Sequence, residues 1–197
     1  MARPKTYDRE EAVVKACRAF WENGFQALGV RELERLTGIN QFAIRSEFGG
    51  KEGLYLEALR YYSNAAISTQ MVHMKRGGIP EIVAFFQGLV ASGSPTASEF
   101  GCLVVNTGIE NARLKRERLE EATQNYWTAL EEHFLEALSR EPVFQEGGSN
   151  WKPRDLAKAL VTAVMGIHAQ NRAQQDKTAG RPLVDFVCGM LSEMARA

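Results

Sequence analysis

Apolar residues recur at helical spacing through most of this chain, and glycines and prolines mark the breaks. Asp8 followed by Glu11 forms a capping-box pattern, in which side chains satisfy amides that a helix start leaves open. Val13, Ala16, Cys17, Phe20 and Trp21 then follow with a helical period, and Gly24 ends that helix. Val30, Leu33 and Leu36 make the inner face of a short second helix, and Gly38 supplies the left-handed turn after it. Asn40 is an N-cap for a third helix over about 41–47. Ile39, Ile44 and Phe48 face inward there, and Gln41, Phe42, Arg45 and Ser46 face outward. Beyond Gly49-Gly50 a long helix starts at Lys51, with Leu54, Tyr55, Ala58, Leu59 and Tyr62 on one side.

Gly77-Gly78 and Pro80 set the next boundary, and Ile82, Val83, Phe85, Phe86, Leu89 and Val90 predict a helix over 80–91. Ser92–Ser98 is a loop of small residues. The nearly uncharged stretch Phe100–Ile109 opens another helix. A charged turn at 115–121 leads into a long amphipathic helix with Leu119, Ala122, Tyr126, Ala129, Leu130, Phe134 and Leu138 inside. Residues 141–152 form a polar loop, and Pro153 suits a first helical turn. The helix over 153–175 is apolar nearly all round from Leu156 to Ile167, which demands burial on several sides. A last helix carries Leu183, Val187, Met190, Leu191 and Met194 in a stripe. The expectation is an all-α fold of about nine helices. A three-helix head occupies residues 1–50 and a larger helical bundle 51–197.

Composition narrows the class. The chain has 197 residues, 45% of them hydrophobic and 24% charged, which is ordinary for a globular protein with a real core. Formal net charge is zero, and residues 1–60 hold ten Lys/Arg against nine Asp/Glu. A nucleic-acid partner would therefore have to be met by the arrangement of charges rather than their sum. Cys17, Cys102 and Cys188 are odd in number and far apart, which fits a reducing cytoplasm better than a disulfide framework. The first residues hold no apolar signal core, and no apolar run is long enough to span a bilayer.

Two short helices joined by a tight glycine turn are the sequence form of a helix-turn-helix, whose second helix enters the major groove. A plain helical hairpin has the same outline. Longer stretches separate the two. Asp8-Arg-Glu-Glu-Ala-Val with Ala19-Phe-Trp-Glu-Asn-Gly-Phe resembles the first helix of the TetR family of transcriptional regulators. Val30-Arg-Glu-Leu-Glu-Arg-Leu-Thr-Gly-Ile39 resembles its second helix and turn, and Phe48-Gly-Gly-Lys-Glu-Gly-Leu-Tyr-Leu-Glu-Ala-Leu59 its junction into the fourth helix. The resemblance covers residues 5–62 in order and spacing. It implies a cytoplasmic, ligand-released repressor that binds a palindromic operator in double-stranded DNA as a homodimer, with no cofactor, metal or catalytic site. The DNA-contacting set it implies is a basic arm with Arg3 and Lys5, then Arg31, Asn40, Gln41, Phe42, Arg45 and Ser46, with Lys51 meeting a phosphate. Relatives usually carry Tyr at the position of Arg45 and a neutral residue at that of Glu47, so the operator does not follow by analogy.

The second region resembles the family less. Gly101-Cys-Leu-Val-Val-Asn-Thr-Gly-Ile-Glu110 is similar to a segment of the effector domain in one group of these regulators. The candidate effector site is Phe86, Phe100, Cys102, Asn106, Trp127, Met165 and His168, with Phe85 and Tyr126 nearby. The same aromatics at helical spacing also suit a plain core. Cys102 is either a buried small hydrophobe or an oxidant sensor, and His168 either orients a ligand or is satisfied within the core. Leu183, Val187, Met190, Leu191 and Met194 are the expected dimer interface. No HExxH, P-loop or GxGxxG occurs, and no histidine carries the Glu-x-x-His spacing of a di-iron bundle. A ligand carrier or protein-interaction bundle is the rival reading, supported by the neutral charge and Glu47.

Overall fold

The computed structural model describes residues 7–94, 97–145 and 150–196. Arg3 and Lys5 lie outside these residues. The described chain is all helical: α1 (Arg9–Asn23), α2 (Val30–Thr37), α3 (Gln41–Phe48), α4 (Lys51–Ala66), α5 (Ile79–Gly88), α6 (Leu103–Leu114), α7 (Glu117–Ser139), α8 (Pro142–Gln145), α9 (Pro153–Gln174) and α10 (Arg181–Met194).

In the head, α1 starts where Asp8 accepts from the Glu11 amide at 2.8 Å. Only half of the expected capping box forms, because the Glu11 carboxylate turns to Lys15 one helical turn on, at 2.8 Å. α1 buries Ala12, Val13, Ala16, Cys17 and Phe20 against α4. Phe20 meets the Tyr55 ring edge-on at 4.6 Å, and Phe25 packs on the same ring at 5.0 Å. Aromatic pairs of this geometry add about 0.5–1.5 kcal/mol beyond their buried area.

The long helix from Lys51 stops being regular at Ile67. It widens into a π turn (Ile67–Met71) and then tightens into a 3-10 turn (Val72–Lys75). This change of pitch turns both Met71 and Met74 fully inward. Glu141 then accepts from the Ile79 amide at 2.6 Å, while Glu81 accepts from Gly78 at 2.7 Å. These two carboxylates satisfy the open amides at the start of α5.

The body core is centred on Phe85, Phe86 and Phe134, with Phe86 and Phe134 stacked at 5.8 Å. α7 packs along α9, and α10 packs on α5 through Val184, Val187 and Leu191. The segment expected to be an unbroken polar loop holds one helical turn, α8. Pro142 has no amide to waste in a first turn, and the Glu141 carbonyl accepts from Phe144 at 3.1 Å. α9 also departs from expectation. Leu156, Leu160, Val164 and Ile167 are buried, but Ala159, Thr162 and Gly166 form an outer strip open to solvent.

Candidate nucleic-acid interface

Short-range contacts shape α2 and α3. Gly38 (φ 77°) closes α2, its amide donating to the Glu34 carbonyl at 2.9 Å. The buried Thr37 hydroxyl donates to the Leu33 carbonyl at 2.6 Å and accepts from the Ile39 amide at 3.2 Å. Asn40 caps α3 by accepting from the Ala43 amide at 2.8 Å. Its side chain is thus engaged as a cap rather than presented as a base reader. Past Gly49 (φ 74°), the Gly50 amide reaches back to the Ile44 carbonyl at 3.0 Å. α4 then passes so close to the end of α3 that a Cβ on Gly53 would stand 1.6 Å from the Phe48 carbonyl oxygen.

Held this way, α3 buries Ala43, Ile44 and Phe48 and leaves Gln41, Phe42, Arg45, Ser46 and Glu47 exposed. Phe42 is 80% exposed, an unusual place for a phenyl ring in a protein without a partner. Gln41 donates to Glu34 at 2.9 Å, tying the α3 face to α2. Glu47 lies beside Tyr7, whose phenol is pushed up to about 12 by burial and then by that carboxylate.

The distribution of ion pairs shows which head cations are matched by a carboxylate and which are not. In the head, Lys15 pairs with Glu11, Arg18 with Glu22 and Arg35 with Glu32, while Arg9 reaches Glu57 on α4, which Arg60 also meets. Among the described residues Arg31 and Arg45 make no ion pair, and both are exposed beside α3 and α2's first turn.

Lys51 is held differently from an open surface lysine. Its ammonium lies 4.4 Å over the Phe25 ring, half-buried, and burial lowers its pKa while Glu110 on α6 works against that shift. Glu110 also accepts from the Phe25 and Gln26 amides at 2.8 and 2.7 Å. On the other flank, the Arg172 guanidinium of α9 donates to the Trp21, Glu22 and Phe100 carbonyls at 2.8, 3.2 and 3.1 Å. Glu110 and Arg172 thus tie the exit of α1 to the body. Neither was singled out from the sequence for this role, since no local pattern reveals a contact across more than eighty residues.

The sequence profile described as bacterial regulatory proteins, tetR family, matches residues 13–58, which run from within α1 to the middle of α4. Over these residues the chain matches the TetR family. It is 27% identical over 107 residues to the HTH-type transcriptional repressor ComR of Escherichia coli K12, covering 53% of this chain. That match spans about half (51%) of the length of ComR. The fold is shared with a TetR-family regulator from Cytophaga hutchinsonii at TM-score 0.78 and 14% identity, covering 94% and 93% of the two chains. A cysteine mutant of the TetR-family regulator CifR, complexed with 26-base-pair operator DNA, matches at TM-score 0.72 and 19% identity over 100% and 99% of the chains.

The residues expected at an effector site scatter. Phe86 and Cys102 are buried in the packed body, and Tyr126 is buried with Trp127 edge-on to it at 5.0 Å. Asn106 spends its amide on the Phe100 carbonyl at 2.9 Å, and Met165 is half-buried against the core. His168 is buried in α9, and burial lowers its pKa to about 4, so it is neutral at pH 7. Burial raises the Cys102 thiol, the reverse of what a reactive thiolate needs. Of the expected set Phe100 lines one sizeable cleft, and of the residues near it Tyr126 lines a second and Phe85 a third. The expected dimer stripe also splits. Val187 and Leu191 face the chain's own core against α5, whereas Leu183 and the unanticipated Phe186 are exposed, and Met190 and Met194 are half-buried.

Proposed function

We propose that this chain is a dimeric, sequence-specific DNA-binding transcriptional regulator, a repressor released from a palindromic operator by a small molecule. The observation that carries the reading is the α3 face. It offers Gln41, Phe42, Arg45 and Ser46 from a rigid short helix, beside the only head arginines without an ion pair among the described residues. Arg45 has the reach and geometry to grip a phosphate or a guanine edge, and Phe42 an apolar surface for a thymine methyl. Arg31 adds a phosphate contact from α2. At the start of α4, Gly50 leaves the first amides without a side-chain cap, which favours a phosphate oxygen there. Lys51 swings from Phe25 to meet the same phosphate.

Dimerisation rests on α9 and α10. The strip Ala159, Thr162 and Gly166 lies next to Leu183, and Phe186 is 68% exposed. Small residues on one helix and large ones on the next suit a four-helix contact between two copies. The interface is therefore Leu183, Phe186 and Met190 with the α9 strip, in place of Val187 and Leu191. Two heads then address half-sites about 34 Å apart, or a multiple of that, on one face of DNA. A small molecule releases them by favouring a head spacing that no longer fits the grooves. An operator-bound CifR of the same fold makes this assembly physically reasonable.

The test is in vitro selection of random duplex DNA by the purified chain across a salt series. An enriched palindrome, with affinity falling steeply as salt rises, is the expected result. Arg31→Ala combined with Lys51→Ala weakens all sequences alike and flattens the salt slope by about two. A folded dimer that enriches nothing at low salt would overturn the reading in favour of a ligand carrier.

A further inference from the structure

An apolar cleft lies at the seam between head and body. It opens between α1, α4 and the turn at 97–100, and has a volume of about 510 Å³. Small-molecule sites fall within roughly 300–1,000 Å³. We propose that this cleft binds a planar, uncharged aromatic molecule carrying one hydrogen-bonding group at its edge, and that such a ligand acts on the head through α1. The first half stands on the cleft itself, and the second rests on the regulator reading above.

The chemistry of the walls points to that class. Trp21 meets Tyr62 at 5.2 Å with the rings 72° apart, and Phe100 at 6.3 Å and 67°. The three rings form a corner, against which a flat guest stacks on one face and meets another edge-on. Their polar atoms are already engaged with the protein. The Trp21 indole N–H donates to the Gly101 carbonyl at 3.1 Å, and the Tyr62 hydroxyl is buried against the Cys102 side chain. Carbon surface is therefore what the rings offer the cleft. At its mouth, Val14 and Tyr61 are 41% and 47% exposed, apolar area that a guest would cover. Arg18 and Glu22 at the rim cancel each other at 2.8 Å, so no net charge selects an ion. Gln70, on the π turn that continues α4, can meet a hydroxyl or ring nitrogen, and the neighbouring Thr69 hydroxyl, which donates to the Ala65 carbonyl at 2.7 Å, can still accept from a hydroxyl.

The cleft also adjoins the tie between head and body. The Arg172 guanidinium that holds the Trp21 and Glu22 carbonyls holds the Phe100 carbonyl as well. A guest stacked against the Trp21 and Phe100 rings bears on both ends of that tie. It changes the seating of the last turn of α1, and with it the α2–α3 pair that α1 supports.

The experiment is calorimetric titration of the full chain with 2-naphthol, quinoline and acridine. Ala65 lines the cleft from an exposed position on α4, so Ala65→Trp fills the site without disturbing the core. Ile109→Ala changes exposed apolar surface elsewhere. At least one probe is expected to bind with a Kd of about 10–100 µM. Binding weakens by about tenfold or more in Ala65→Trp and is unchanged in Ile109→Ala. No binding of any probe up to about 1 mM, or full affinity in a folded Ala65→Trp, would overturn the site. On selected operator DNA, the bound probe shifts DNA affinity by about fivefold or more, and Ala65→Trp abolishes the shift. Probe binding with no such shift overturns the action on the head alone. Probe binding by a protein that selects no DNA leaves the site standing and sinks the regulator reading instead.

Discussion

In the head, the chain leaves α2 through Gly38 (φ 77°) and α3 through Gly49 (φ 74°), and each turn is held by groups within a few residues of it. In the body, α6 and α9 end at the same left-handed backbone, but through Lys115 (φ 54°) and Gln175 (φ 52°). A residue with a Cβ pays about 1–2 kcal/mol to stand there. Each body corner offsets that cost with a buried asparagine. Asn111 donates to the Arg116 carbonyl and accepts from its amide, both at 3.0 Å. Asn171 donates to the Lys177 carbonyl at 3.1 Å and accepts from the Gly180 amide at 2.8 Å. The lesson is one of range. The head's working face is shaped by local chemistry and can keep its form as the body shifts. The body's corners depend on amides that hydrogen-bond well only while they stay buried.

That contrast gives four expectations. The largest concerns Gly53, where α4 touches α3 and no neighbour can give way. Gly53→Ala costs the head about 4 kcal/mol or more, seen as lost folding in urea titration and lost operator binding. A variant of unchanged stability would show that the helix contact is looser than the geometry requires.

Next is the pH response of the body. His168 is neutral when folded, with its pKa lowered by burial to about 4, against 6.5 in the open chain. The unfolded chain takes up the proton first as pH falls. This group's contribution is therefore intact above pH 6.5, erodes between 6.5 and about 4, and totals about 3 kcal/mol. Comparing unfolding at pH 7 and 4.5 in wild type and His168→Gln isolates it. Equal pH slopes in the two proteins would remove His168 from the account.

Asn171→Ala comes third. It strands a buried amide and carbonyl at the α9–α10 corner and lowers stability by about 2 kcal/mol, with hydrogen exchange rising in α10 before the head. Exchange rising equally everywhere would erase the distinction between the two regions. The smallest effects form a matched pair. Gly38→Ala lowers stability by about 1 kcal/mol, whereas Gln175→Gly raises it by about 0.5 kcal/mol. Calorimetric melting of both variants reads the two signs, and the same sign in both would break the comparison.

Most of the helices, the head's turns and the outward face of α3 were legible in the residues themselves. Helical period assigns faces within one element, and Gly38, Asn40 and Gly49 act over a few residues. Gly53 was legible as a residue but not as a contact, because its reason is a carbonyl on a different helix. The expected effector and dimer surfaces lay further from reach. The apolar faces of α10 look alike in sequence, yet α5 covers Val187 and Leu191 and leaves Phe186 bare. Phe86, Cys102 and His168 share the composition of a pocket lining, but the surrounding helices close over them. Cleft space instead falls beside Trp21, a head residue. Lys51 has the spacing of a phosphate contact, and only the approach of Phe25 and Glu110 shows where its ammonium rests. Period and capping are properties of consecutive residues, and the sequence carries them outright. Which apolar face is covered, where space remains and which charge is cancelled depend on elements far apart in the chain, and those came from how the helices pack.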